Sequence, residues 1–78
     1  MHKSQLTITG DYITLGQFLK LAEIISSGGM ARAYLAEYSV LVNGENENRR
    51  GRKIYPHDQV EVPGVGLYFI VSEENACN

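Results

Sequence analysis

Cysteine is nearly absent from this 78-residue chain: there is one, Cys77, next to the last residue. A single cysteine closes no internal disulfide, and Cys77 has no metal-ligand companions at a usable spacing. No cation or helix start stands near it to lower its thiol pKa, so nothing marks it as a nucleophile. Long apolar runs are missing too. The opening Met-His-Lys-Ser-Gln-Leu predicts no signal peptide, and no window approaches the roughly 20 apolar residues of a membrane span. The expectation is a reduced, cytoplasmic setting. Histidine is scarce: His2 lies by the terminus and His57 beside Asp58 in a turn. Such a neighbour pair shapes a turn rather than forming a catalytic unit, and no Ser/His/Asp set accompanies it. There are no internal repeats, no low-complexity segment and no GxxxxGK[ST] phosphate loop. These absences predict no enzyme, no metal and no cofactor.

What is present is ordinary globular material, 44% apolar and 21% charged. The length fits a single domain over 1–78, with one small core and a stability of order 5 kcal/mol. The net charge of -2 argues against a generic polyanion binder, but its distribution is uneven. Residues 1–48 carry three cations against five anions, 49–53 carry four cations and no anion, and 54–78 carry four anions. Arg49, Arg50, Arg52 and Lys53 thus form a local positive site on an acidic body. Local potential steers a ligand within a Debye length of about 8 Å at physiological salt.

Along the chain, Gln5–Thr9 alternates as a short strand with Leu6 and Ile8 inward. Thr14 and Gln17 have capping-box spacing, and Leu15, Phe18, Leu19, Ala22 and Ile25 recur at helical spacing, which predicts a helix over 15–25. Lys20 falls off that stripe, facing ligand or water. Ser26-Ser27-Gly28-Gly29 ends this helix and starts the next, with a Ser as N-cap. Two adjacent glycines have two readings here: close backbone approach to a phosphate-bearing ligand, or a corner too tight for side chains. The second helix is expected over 29–37, with Met30, Ala31, Tyr34, Leu35 and Tyr38 on its apolar face and Arg32 exposed.

Val40-Leu41-Val42 then enters Asn43-Gly44, a hairpin turn in which both residues accept positive φ. The returning arm, Glu45–Asn48, is wholly polar and so expected to be poorly covered. If 49–53 is extended, Arg50 and Arg52 share one face and Arg49 and Lys53 the other, unless a bulge at Gly51 brings them together. A turn at 54–58, a strand at 59–62, a turn at 63–66 and a strand at 67–71 follow, then an acidic tail over 73–78 that should fray. The order predicts an α+β domain, two helices packed on a small, mainly antiparallel sheet. Leu15, Phe18, Leu19, Ala31, Leu35, Val40, Val42, Val60, Val62 and Phe69 are the expected core.

Ser27, Ala31, Arg32, Leu35, Val40, Val42, Asn43 and Gly44, with the later Asp58, Val60 and Val62, resemble the alpha-L RNA-binding motif. That motif is named after small-subunit ribosomal protein S-four, and the resemblance covers about 13–62. It is closer to the small stand-alone bacterial members of the YaaA and YbcJ type. The residues that carry this are Leu15–Leu21, Ser27-Gly28-Gly29 and Asn48–Ile54. Three positions depart from the larger family: Gly28 where a basic residue is usual, Tyr38 where Gly precedes the first strand, and His57 in place of the Gly of a Gly-Asp turn.

The resemblance implies non-enzymatic binding of structured RNA, ribosomal or transfer, by the second helix and its hairpin, with a role in ribosome assembly or RNA metabolism. Arginine suits that task because its planar fork grips phosphate and stacks on bases. The expected RNA-binding residues are Lys20, Gly28, Gly29, Arg32, Asn43, Gly44, Arg49, Arg50, Arg52 and Lys53. The acidic net charge supports a rival, a protein-interaction adaptor that binds no nucleic acid. A sulfur carrier would need a C-terminal Gly-Gly, and the chain ends Asn-Ala-Cys-Asn.

Overall fold

A computed structural model of the chain describes residues 2–73, so the expected tail and Cys77 lie outside the described residues. The elements, in order, are β1 (His2–Ile8), β2 (Ile13–Thr14), α1 (Leu15–Leu21), α2 (Met30–Glu37), β3 (Val40–Val42), β4 (Glu45–Glu47), β5 (Lys53–Ile54), β6 (Gln59–Val62) and β7 (Gly66–Ser72). Five strands form one sheet in the order β1-β7-β6-β3-β4, and β2 pairs with β5 in a separate two-stranded ladder. Every pairing is antiparallel except β1 with β7, which run parallel along their whole seven-residue lengths. This is the α+β architecture that the order of elements predicts.

Alternation along the strands decides which residues meet the helices. Val40, Val42, Val60, Val62 and Ile70 point to the core face and are fully buried beside Leu15, Phe18, Leu19 and Ile54. Phe18 meets the Tyr68 ring edge-on at 5.2 Å between centroids. Phe69, expected in the core, is only half-buried. Leu67–Val71 is an unbroken apolar run that carries no parity of its own, and the register puts Tyr68 and Ile70 inward. Phe69 faces outward beside its ladder partners Gln5 and Gln59.

The first helix is shorter than its apolar stripe predicts. Thr14 and Gln17 form the expected capping box, with Gln17 N–H donating to Thr14 Oγ1 and Thr14 N–H to Gln17 Oε1. At the other end, Ile24 N–H donates to the Leu19 carbonyl and Glu23 N–H to that of Lys20. Those two bonds make a Schellman ending with Glu23 left-handed at φ 61°, so α1 stops at Leu21 instead of Ile25. Ile25 still reaches the core, from the connecting loop. In α2 only Ala31 and Leu35 are buried. Met30 is exposed and its Sδ accepts from Ser26 Oγ, while Tyr34 is half-buried with its ring tilted against that of an exposed Tyr38, 4.9 Å between centroids. No serine caps α2; its N-cap is Gly29, without a side-chain bond.

The hairpin turn is as expected, with Asn43 at φ 54° and Gly44 at 86°. Asn43 is held further: its Nδ2 donates to Asp58 Oδ1 and its Oδ1 accepts from Gln59 N–H. Asp58 Oδ2 in turn accepts from Tyr55 N–H, which closes the 55–58 turn. His57, in that turn, is left-handed at φ 78°. A side chain with a Cβ is strained there, whereas glycine is not. Because His57 is exposed and its N–H bond to the Ile70 carbonyl needs only backbone, His57→Gly is expected to raise stability by about 0.5–1 kcal/mol. In thermal melts that appears as a midpoint roughly 2–8 °C higher.

Candidate nucleic-acid interface

The basic segment is fastened to the start of α1 through the backbone. The first amides of a helix have no partner within it, and here Leu15 N–H donates to the Arg52 carbonyl at 2.8 Å and Gly16 N–H to that of Arg50 at 2.9 Å. The approach is close. A Cβ on Gly16 would stand 3.5 Å from the Arg50 carbonyl oxygen and 3.4 Å from Ala31 Cβ. The β2–β5 ladder continues the attachment by pairing Thr14 with Lys53.

Residues 49–52 therefore turn instead of running extended, and Arg52 N–H donates back to the Arg49 carbonyl. The extended run under which Arg50 and Arg52 would share one face and Arg49 and Lys53 the other is therefore not formed. The cations divide differently. Arg49 and Arg52 both bind Glu47, at 3.0 and 2.8 Å. Arg50 has no ion pair among the described residues and lines an open depression of about 380 Å³ with Thr14, Gly16, Gln17, Lys20, Gly28, Ala31 and Gly51. Lys53 Nζ sits 5.0 Å over the Tyr12 ring, itself tilted against Tyr55.

The depression brings together Lys20, Gly28 and Arg50, which lie far apart in sequence. Gly28 and Gly29 are not there for lack of room: a Cβ on either, or on Gly51, would meet nothing within 4 Å. None of the three has positive φ, so backbone strain does not require glycine either. The crowded-corner reading is thereby set aside, and three glycines line or adjoin a basic hollow with open space above them. The helix start offers fewer free donors than expected, because Met30 and Ala31 N–H donate to the Ser27 and Gly28 carbonyls. Arg32 is exposed on α2 with no ion pair among the described residues. Asn43 and Gly44 form the hairpin tip, where Asn43's side chain is occupied in holding Asp58 and Gln59.

Glu47 is the residue that sequence reasoning missed. It lies on an arm expected to be poorly covered, yet it is 7% exposed, because its ladder partner Val40 turns it toward the core face. Both carboxylate oxygens are doubly engaged. Oε2 accepts from the N–H and Nε of Arg49, and Oε1 from Arg49 Nη2 and Arg52 Nη1. The hydrogen bonds from Arg49, then those from Arg52, hold its carboxyl down at about 2 against an ordinary 4.5, and Glu47 in turn raises the Arg49 guanidinium. The available signal was spacing: an acid two and five residues before two arginines, opposite a buried valine.

The sign of the pH effect follows from this depression. The unfolded carboxyl takes up its proton near 4.5 and the folded one only near 2, so the contribution is complete above about pH 4.5. It is lost as pH falls through 2. Melting midpoints measured from pH 5 to pH 2 should fall more steeply for the parent chain than for Glu47→Gln.

Among the described residues no group of His, Cys, Asp or Glu could hold a metal ion, and no helix is long and apolar enough to cross a membrane.

Comparison with known proteins supplies the family. The S4 domain model matches residues 6–71, from the end of β1 through most of β7, with the helices and hairpin between them. The protein named "Probable ribosome maturation protein RlbA" of Bacillus subtilis (strain 168) is 55% identical over 67 residues, 86% of this chain and 94% of its own length. With two helices, a Val-Asn-Gly hairpin and a family match over most of its length, the chain belongs to the S4 domain family of RNA-binding modules.

Proposed function

We propose that this protein binds a folded ribosomal or transfer RNA in the cytoplasm and acts, without catalysing a reaction, in the maturation of ribosomes. One observation carries the reading. Lys20 and Arg50, uncommitted to any acid among the described residues, share a hollow with Gly28 and Gly51, whose empty surroundings admit a ribose-phosphate chain. Arg49 and Arg52 flank it on the same turn, with Lys53 following and Arg32 on α2 as further contacts. Phosphate contacts of this kind position an RNA by shape and carry no sequence information. The name of the B. subtilis relative supports the ribosomal direction.

Fluorescence anisotropy with a labelled RNA stem-loop and a DNA of equal length, titrated across salt, tests this. RNA should bind more tightly than DNA, with a log-log salt slope of about -2 to -4 for three to five phosphate contacts. Absence of RNA binding at low salt would favour a protein adaptor, for which the half-buried outer sheet residues Leu41, Leu67, Phe69 and Val71 provide an apolar surface.

A further inference from the structure

A carboxylate inside a phosphate-binding patch has the wrong sign for its ligand. Glu47 removes one unit of positive charge from the only dense cationic segment of an acidic chain. Were affinity set by charge alone, this position would weaken it.

The geometry suggests another role. The acid is buried while the Arg49 side chain is 76% exposed and that of Arg52 32% exposed, so the cations project outward from a fixed base. Arg49 is held by two guanidinium bonds and one backbone bond, Arg52 by one. These use three of the ten guanidinium N–H donors of the pair and leave seven for a ligand. A free arginine has many rotamers to lose on binding, whereas one already held in its fork loses fewer.

We propose that Glu47 is a positioning residue: it fixes Arg49 and Arg52 as one outward-facing guanidinium pair for adjacent phosphates of a folded RNA strand, so that an acidic side chain strengthens and sharpens binding to a polyanion. The proposal rests on the RNA-binding reading above. It requires that geometry outweigh charge at this position. Glu45 provides the matched comparison, an exposed acid on the same strand whose removal changes charge equally and touches no arginine among the described residues.

The experiment measures affinity for an RNA stem-loop and for an unstructured RNA of equal length, at one salt concentration. The variants are Glu47→Gln, Glu45→Gln and the charge-preserving double change Arg49→Lys/Arg52→Lys. Glu47→Gln should bind the stem-loop about tenfold more weakly despite its added charge, and its preference for stem-loop over unstructured strand should shrink. Glu45→Gln should bind as well as the parent or better. The lysine double variant should lose affinity and preference with charge unchanged, since an ammonium lacks the fork. The preference ratio is the readout that a purely structural role leaves unmoved once each variant is shown folded by circular dichroism. Glu47→Gln binding the stem-loop as tightly as the parent, or more tightly, would overturn the proposal and leave the RNA-binding reading standing. If Glu47→Gln does not fold, the lysine variant decides, and parental affinity and preference in it overturn the proposal. A parent chain that binds neither RNA overturns both.

Discussion

A chain in which Lys20 and Arg50 are both replaced by alanine is expected to bind a folded RNA about 30-fold more weakly than the parent, with its fold intact. The size follows from two solvent-exposed ion contacts with phosphate at about 1 kcal/mol each. The log-log salt slope should lose about 1.5–2 units, as each lost contact no longer displaces a counterion. Both side chains are exposed and neither makes an ion pair among the described residues, so truncation leaves no buried acid stranded. Lys3→Ala is the control. It removes an equal charge from β1, at the sheet edge opposite β4, and should change affinity by less than about twofold. The loss should be similar for all folded RNA sequences tested, because phosphate contacts do not specify bases. Equal losses from Lys3→Ala and the double variant would reduce the hollow to a share of overall charge.

The second large effect concerns the core that holds the hollow in shape. Phe18→Ala is expected to cost about 3–5 kcal/mol, the range for emptying a buried aromatic site. Phe18 is fully buried and meets Tyr68 edge-on, so both the transferred surface and the ring contact are lost. A domain of this size has a total stability of order 5 kcal/mol. The variant should therefore lack a cooperative melt at 37 °C or show its midpoint lowered by roughly 15 °C or more. RNA binding would fall with it, which separates this variant from Lys20→Ala/Arg50→Ala, where melting is preserved. A cooperative melt within about 5 °C of the parent would show that Phe18 does not anchor α1 on the sheet.

Much of the fold was legible because local chemistry and core position agreed. Thr14 with Gln17, Asn43 with Gly44, and the alternation of Val60 with Val62 each stated a boundary or a face that packing then used. Where the signal was silent, expectation failed in a specific way. Glu23 adopts a left-handed helix ending that sequence leads one to look for in glycine, so α1 looked four residues too long. Leu67–Val71 gave no parity, which exchanged Phe69 for Ile70. The pairing of β1 with β7 joins the first and last of the described strands, and no local pattern announces such a contact.

The candidate site was half visible. Four cations in five residues were plain, but their orientation depended on carbonyls of Arg50 and Arg52 accepting from α1, a backbone contact across some 35 residues. That contact turned the segment, sent Arg49 and Arg52 to Glu47 and left Arg50 beside Lys20. An acid on a polar arm gave no hint of burial until its opposite number, Val40, was known.

The most direct test of the account is amide chemical-shift mapping of the labelled protein as an RNA stem-loop is added. The amides of Gly16, Gly28, Gly29 and Gly51 and the neighbouring amides of Lys20, Arg32 and Arg50 should move first and furthest. Those of β1 and β7 should stay nearly fixed. Shifts confined to β1 and β7, with the glycine amides unmoved at saturating RNA, would contradict the assignment of the hollow as the binding surface.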